Sequence, residues 1–342
     1  MKKTFKIFAA VLAVIMTVLV AFTGCNSTKP NDDSSTTPDG QSGKTLKVGV
    51  IQYMSHPSLD NCYAGIKAAL TEKYGSNITI DFQMGSDSSA DADCANYAKN
   101  MVAQKYDMII AIATPAASSA YAATEGTNIP VIFCSVSDPV AAKLVESKDV
   151  PGSNCTGTSD MLDLAGQLDM IQQVQPDVKT IGILYTSSEV NSISNLEVFK
   201  GLCDERGIKV EATGVQNASD IPAAATALAA KVDCINNFTD NNVVNNLSVL
   251  LDAANTAGIP VYGSEIEQVK NGCLASNSMD YVAVGKITGE MAVDVLEGAD
   301  ITTMAVKTVS DSKPVVNNEV FASLNMTVPA ALAECESVVT NK

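Results

Sequence analysis

Two successive series of apolar strand segments alternating with helical segments are the strongest constraint on what this chain can fold into. In the first series an apolar run at 46–53 leads into a helix opened by Ser55-His56-Pro57, where Leu59, Tyr63, Ile66, Leu70 and Tyr74 recur at helical spacing. Ser55 suits the N-cap and Pro57 the first turn. Ile78, Ile80, Phe82 and Met84 alternate as a half-buried strand does. A helical pattern over 88–105 follows, then a continuous apolar run at 107–113 of the kind found in strands covered on both faces. Thr114-Pro115 opens another helix, and 130–134 reads as a buried strand closed by Ser137-Asp138-Pro139. The second series predicts strands at 180–185, 208–213, 232–237, 259–262 and 273–277, with helices over 190–206, 221–231 and 242–257. A long helix at 281–296, a short strand near 304–308 and a final helix over 328–339 complete the pattern. The expected class is α/β: two doubly wound lobes, each with a parallel sheet. Ligands on such sheets bind at the carboxyl ends of the strands, so two facing lobes would hold a ligand cleft between them.

The ends of the chain and its charge narrow the setting. Lys2, Lys3 and Lys6 precede an almost unbroken apolar stretch that ends in Phe22-Thr23-Gly24-Cys25. That order reads as a secretory signal peptide over 1–25. Cys25 resembles a lipobox cysteine, whose thiol is acylated, although Phe22 stands where Leu is usual. The stretch is shorter than the roughly 20 residues a membrane span needs. Residues 26–44 are rich in Ser, Thr, Asp and Pro and read as a flexible linker. A net charge of −16 argues against nucleic acid or anionic lipid surfaces as partners. Beyond Cys25 there are eight cysteines, with no Cys-x-x-Cys among them. Cys134, Cys234 and Cys273 lie in apolar strand segments, where a free thiol behaves as a small hydrophobe, and free thiols are favoured over a disulfide framework.

The chemistry that is missing matters as much. There is no nucleophile elbow, zinc-protease helix, phosphate-binding loop or dinucleotide fingerprint, and His56 is the sole histidine. Common hydrolases and zinc enzymes are thereby disfavoured, and no cofactor or metal is expected. Carboxylate-only chemistry is less constrained.

Ordered motifs carry a resemblance. They are V-G-V-I-Q-Y-M-S-H-P-S-L-D (48–60), I-A-T-P-A-A (112–117), S-V-S-D-P-V (135–140) and G-T-S-D (157–160). Further on come T-I-G-I-L-Y-T-S-S-E-x-N-S (180–192), T-D-N (239–241) and G-x-x-T-G-E-M-A (285–292). In this order and spacing the chain resembles the substrate-binding lipoproteins of ABC importers, in the branch associated with tryptophan and tyrosine uptake. The resemblance runs from about 46 to about 339. It implies a type I periplasmic-binding-protein fold in which the chain crosses between lobes three times. By analogy, lobe one would be 45–157 plus 281–305 and lobe two 158–280 plus 306–342. The implied role is to capture a small solute outside the cell by lobe closure and to deliver it to a permease whose partner ATPase hydrolyses ATP. The chain would then be a monomer held at the outer face of the bacterial cell membrane by lipid alone.

An amino-acid ligand presents a carboxylate, an ammonium and a side chain. Carboxylates suit hydroxyls and helix N-termini, which points to Thr114 and Ser188, with Ser135 near the next strand end. The ammonium needs an acceptor. Asp240 in Thr239-Asp240-Asn241 is the leading candidate, although an N-cap role fits it too. Asp138 fits a turn as well as a site, while Glu189, Asn191, Asn241, Glu265 and Asp280 are further cleft candidates. Tyr53 and Phe238 could flank an aromatic ring, with ordinary packing the alternative, and Gln52 and His56 could reach the cleft mouth. The chain has no tryptophan, so stacking would fall to Tyr and Phe. Rival functions are an extracellular sensor that presents a bound solute to a receptor, a binder of a nucleoside or sugar, and an exported carboxylate enzyme.

Overall fold

The computed structural model describes residues 45–341, so the signal, Cys25 and the linker lie outside the described residues. The described residues belong to one unit of the chain, 43–342. Its first half winds as β1 (Leu46–Gln52), α1 (Pro57–Tyr74), β2 (Ile78–Met84), α2 (Ala90–Ala103), β3 (Met108–Ile112), α3 (Thr114–Thr124), β4 (Val131–Cys134) and β5 (Cys155–Ser159). The second half continues with α4 (Leu164–Val174), β6 (Thr180–Thr186), α5 (Val190–Glu205), β7 (Lys209–Val215), α6 (Ile221–Ala229), β8 (Cys234–Asn236), α7 (Asn241–Asn245), α8 (Leu247–Ala257), β9 (Val261–Tyr262), α9 (Ile266–Lys270) and β10 (Ala275–Ser278). The chain ends with α10 (Tyr281–Leu296), β11 (Lys307–Thr308), β12 (Lys313–Asn317), α11 (Asn318–Ser323) and β13 (Glu336–Val338).

The first lobe is a parallel sheet in the order β11-β5-β4-β3-β1-β2. The inner strands β3 and β4 are buried throughout, as their unbroken apolar runs require. On the sheet's flanks, α1 packs against α10 and α2 against α3. The α1–α10 contact is backbone to backbone. A Cβ at Gly285 would lie 2.1 Å from the Cys62 carbonyl oxygen, and one at Gly65 would lie 2.2 Å from that of Val282. Only glycine permits that approach.

The second lobe carries a parallel sheet, β7-β6-β8-β9, and a smaller one, β10-β12-β13. Backbone bonds from Leu274 N to Val261 O (2.7 Å) and from Gly263 N to Ala275 O (2.9 Å) join the two sheets. Two separate clusters of buried apolar side chains fill this lobe, and a third fills the first lobe. Among the described residues the chain passes between the lobes at 160–163, 279–280 and 309–312. Pairing of β5 with β11 puts Thr158, Ser159, Lys307 and Thr308 in the first sheet.

Several sequence expectations change. The predicted helix at 328–339 is absent. Instead Glu336–Val338 pairs parallel with Val315–Asn317, because the ladder satisfies the backbone where Pro329 and a single helical turn leave it free. The 242–257 helix is two helices broken at Asn246 (φ −112°, ψ 25°). β5, β12 and α4 were not foreseen. The β5 sequence Cys-Thr-Gly-Thr-Ser shows no apolar alternation, yet it is buried between β4 and β11. The eight described cysteines after Cys25 are free thiols, all buried except Cys335.

Candidate ligand-binding cleft

The carboxyl ends of both main sheets face each other across a narrow cavity. From the first lobe come Ala113 and Thr114 after β3, Ser135 and Ser137 after β4, and Asp160 at the first crossing. His56, Ser58 and Leu59 join them from the start of α1. The second lobe contributes Asn191, Thr239, Asn241, Val244, Glu265 and Gln268, and Tyr281 enters from the second crossing. No lysine or arginine lines the cavity.

Two non-glycine residues with positive φ sit at adjacent strand ends in this wall, Ala113 (79°) and Ser135 (56°). Such strain persists where the surroundings hold it, typically at ligand sites. At Ala113 the strain turns the chain sharply into α3, so that the first-turn amides of an eleven-residue helix begin at the cavity wall.

Asp160 is the buried charge of the site. It is 3% exposed and accepts from Ser137 Oγ (3.1 Å) and Tyr281 Oη (3.1 Å). Burial raises its pKa, against the pull of those two hydroxyls. Glu265 is also enclosed, 2% exposed, and caps α9 by accepting from Glu267 N (2.6 Å) and Gln268 N (2.8 Å). Burial pushes Glu265 up to about 7, with the Ser58 hydroxyl and the two amides pulling the other way. His56 bonds weakly to Asn241 Oδ1 across the cleft (3.5 Å), and its half-buried ring is desolvated, which lowers its pKa to about 4 and leaves it neutral. Three enclosed polar atoms along the wall have no protein partner: His56 Nδ1, Asn191 Oδ1 and Thr239 Oγ1. Buried polar atoms are rarely left unmet, so this wall is built for a polar ligand.

The structure brings His56, Thr114, Ser135, Asn191, Asn241 and Glu265 of the sequence candidates to the cavity wall. The others do not line it. Asp240, the leading ammonium candidate, is fully buried and committed. It accepts from Thr186 N (2.6 Å), Thr186 Oγ1 (2.8 Å), Ser192 Oγ (2.7 Å) and Val243 N (2.9 Å), capping α7. Glu189 lies beneath the wall and accepts from Asn191 Nδ2 (3.1 Å), Asn241 N (3.0 Å), Asn241 Nδ2 (2.6 Å) and Asn242 N (3.1 Å). Burial and the adjacent Asp240 carboxylate raise its pKa to about 8. It therefore orients two wall residues without facing the cavity. Asp138 forms a turn with Ala141 N (2.9 Å) and bonds Ser194 Oγ of the other lobe (2.7 Å).

Ser188 is exposed, and α5 begins behind Glu189 instead. Gln52 donates to Met54 O and Asp60 Oδ1 below the cleft. Tyr53 packs in the first core, and Phe238 in the second, edge-on to Phe199 at 5.7 Å. Asp280 caps α10 and borders a larger, open hollow behind the hinge. Ser55 is not the α1 cap, since His56 takes that position, and Thr114 is the first residue of α3 rather than its cap.

Sequence reasoning missed Asp160, Ser137, Tyr281 and Gln268. The one signal was the G-T-S-D motif, whose aspartate directly follows β5. Among the described residues no group of three or more His, Cys, Asp or Glu side chains could hold a metal ion, and no helix is long and apolar enough to cross a membrane.

The family model described as ABC transporter substrate binding protein matches residues 47–339. The chain belongs to the ABC transporter substrate-binding proteins. Its role is therefore binding rather than catalysis, as the extracytoplasmic component of an ABC transport system. This substrate-binding protein is 33% identical to the tyrosine-binding protein of Clostridioides difficile over 95% of its own length and 94% of the relative's. It overlays with a TM-score of 0.82, at 36% identity, on a Streptococcus pneumoniae ABC domain in complex with L-Trp, covering 86% of its own chain and 99% of that one. On the ligand-free, open structure of a Clostridium difficile substrate-binding protein with adhesive properties the TM-score is 0.66, at 34% identity and 86% and 100% coverage. At nearly equal identity, the chain overlays better on the ligand-bound structure than on the ligand-free, open one. His56–Asn241 and Asp138–Ser194 bond across the cleft. The fold is the type I periplasmic-binding-protein fold.

Proposed function

We propose that the cleft captures an aromatic amino acid, tyrosine or tryptophan, and that lobe closure around it prepares delivery to a permease. The observation that carries this reading is Asp160, a carboxylate enclosed in the cavity with no cation beside it. An ammonium group supplies the missing charge, and Ser137 and Tyr281 hold the carboxylate to meet it. The ligand carboxylate then takes the start of α3 with the hydroxyls of Thr114 and Ser135, which needs no basic side chain. The similarity to a tyrosine-binding protein and to a tryptophan-bound structure supports an aromatic side chain. Closure follows from differential affinity, because the ligand bridges residues of both lobes only when they meet. Cys25 carries the lipid in this reading, and 26–44 tethers a monomeric receptor near its permease.

The test is a thermal-shift screen of the purified protein against the twenty amino acids, nucleosides and small sugars. Tyrosine or tryptophan should raise the melting temperature most. A response to a sugar or nucleoside alone overturns the reading.

A further inference from the structure

We infer that Glu265 selects the side chain of the ligand by accepting a hydrogen bond from a donor at its far end, a phenol O–H or an indole N–H, and that phenylalanine is thereby excluded. This rests on the aromatic amino-acid reading above.

The polar lining falls into two groups. Thr114, Ser135, Ser137 and Asp160 follow β3, β4 and β5, which are neighbours in one sheet, and they serve the amino-acid head. Glu265 caps α9 of the other lobe and Gln268 lies in it, with Ser58 of α1 beside the Glu265 carboxyl. Leu59, Ala113 and Val244 supply the apolar lining. A head bound at the first group sends its side chain toward the second. Each Glu265 oxygen already accepts one backbone amide and the Ser58 hydroxyl takes a further lone pair, which leaves one for a ligand donor. The carboxyl is enclosed and no cation lines the cavity.

A phenyl ring seals this acceptor from water and gives nothing back. A phenol or indole donor satisfies it. Sites built to hydrogen-bond a ligand group reject the analogue that lacks it far more strongly than apolar pockets reject a missing methylene.

Calorimetry with L-tyrosine, L-tryptophan, L-phenylalanine and 4-fluoro-L-phenylalanine tests this. The fluoro compound matches tyrosine in shape but has no donor. The unmodified protein should bind tyrosine, tryptophan or both at least about 100-fold more tightly than the two donor-free ligands. In Glu265→Gln that ratio should shrink about tenfold or more, through weaker binding of the donor ligands. Phenylalanine or its fluoro analogue binding the unmodified protein as tightly as tyrosine and tryptophan overturns the inference and leaves the aromatic reading intact. An unchanged ratio in Glu265→Gln does the same. Binding of none of the four by the unmodified protein overturns both. The unmodified protein alone is decisive if Glu265→Gln fails to fold.

Discussion

Asp160→Asn separates ligand binding from stability, because the two effects have different sizes. Asparagine keeps the shape and one oxygen. Of the Ser137 and Tyr281 hydroxyls, both 3.1 Å away, one loses its acceptor, a cost of about 1 kcal/mol. Against that, a buried carboxylate with no cation beside it is removed, and its raised pKa shows that burial works against its charge. The ligand-free protein should therefore keep its stability within about 1 kcal/mol, or about 2 °C in melting temperature. Ligand binding should suffer far more. Losing one partner of a buried, hydrogen-bonded charge pair costs about 2–5 kcal/mol. That corresponds to a Kd raised roughly 30-fold to several-thousand-fold. Differential scanning fluorimetry and calorimetry with the best amino-acid ligand measure both quantities on one preparation. A folded variant whose Kd rises less than about threefold would refute Asp160 as the ammonium acceptor.

Three further outcomes follow from the same geometry. Ser194→Ala removes the 2.7 Å bond to Asp138 across the cleft, about 1 kcal/mol of closure, and should raise Kd about fivefold by calorimetry without changing the melting temperature of the ligand-free protein. Glu265 sits at about 7 when enclosed, above its ordinary 4.5, so the closed form holds a proton that an open, hydrated cleft releases. Acid then favours closure by up to roughly 3 kcal/mol below pH 4.5, an advantage lost as pH rises through 7. His56, lowered to about 4 when enclosed, titrates in the opposite sense, so small-angle scattering is read on the ligand-free His56→Gln variant, which should give a smaller radius at pH 5 than at pH 8; an equal or larger radius contradicts this. Asp240→Ala leaves the Thr186 and Val243 amides and two hydroxyls without their acceptor, and should cost about 3 kcal/mol of stability, read as a fall in melting temperature. A normal melting temperature with lost affinity would return Asp240 to the ligand.

The alternating pattern made the wound lobes legible, since buried parallel strands such as 108–112 are continuous apolar runs and their helices carry a clear period. It failed where burial came without apolar side chains, as in β5, and where a terminal strand was recruited by a ladder far from it in sequence, as in β13. Within the site, strand-end hydroxyls and amides such as Thr114, Ser135 and Asn241 could be named because a doubly wound sheet presents its ligand at those ends. The carboxylates could not be ranked from sequence. Asp240 and Asp160 each follow a strand, but one turns inward to cap α7 and the other stays at the cavity wall. That difference is set by partners 48 to 54 residues away for Asp240 and 23 and 121 residues away for Asp160, and no local pattern reports it. Tyr281 was assigned to a helix without its partner across the chain being visible.

A crystal structure of the protein with the amino acid that stabilises it most is the most direct test of the account. The ligand nitrogen should lie within about 3 Å of the Asp160 carboxylate and the ligand carboxylate at the start of α3. The lobes should be arranged as they are here. A ligand whose amino group lies away from Asp160, or that binds outside this cleft, would contradict it.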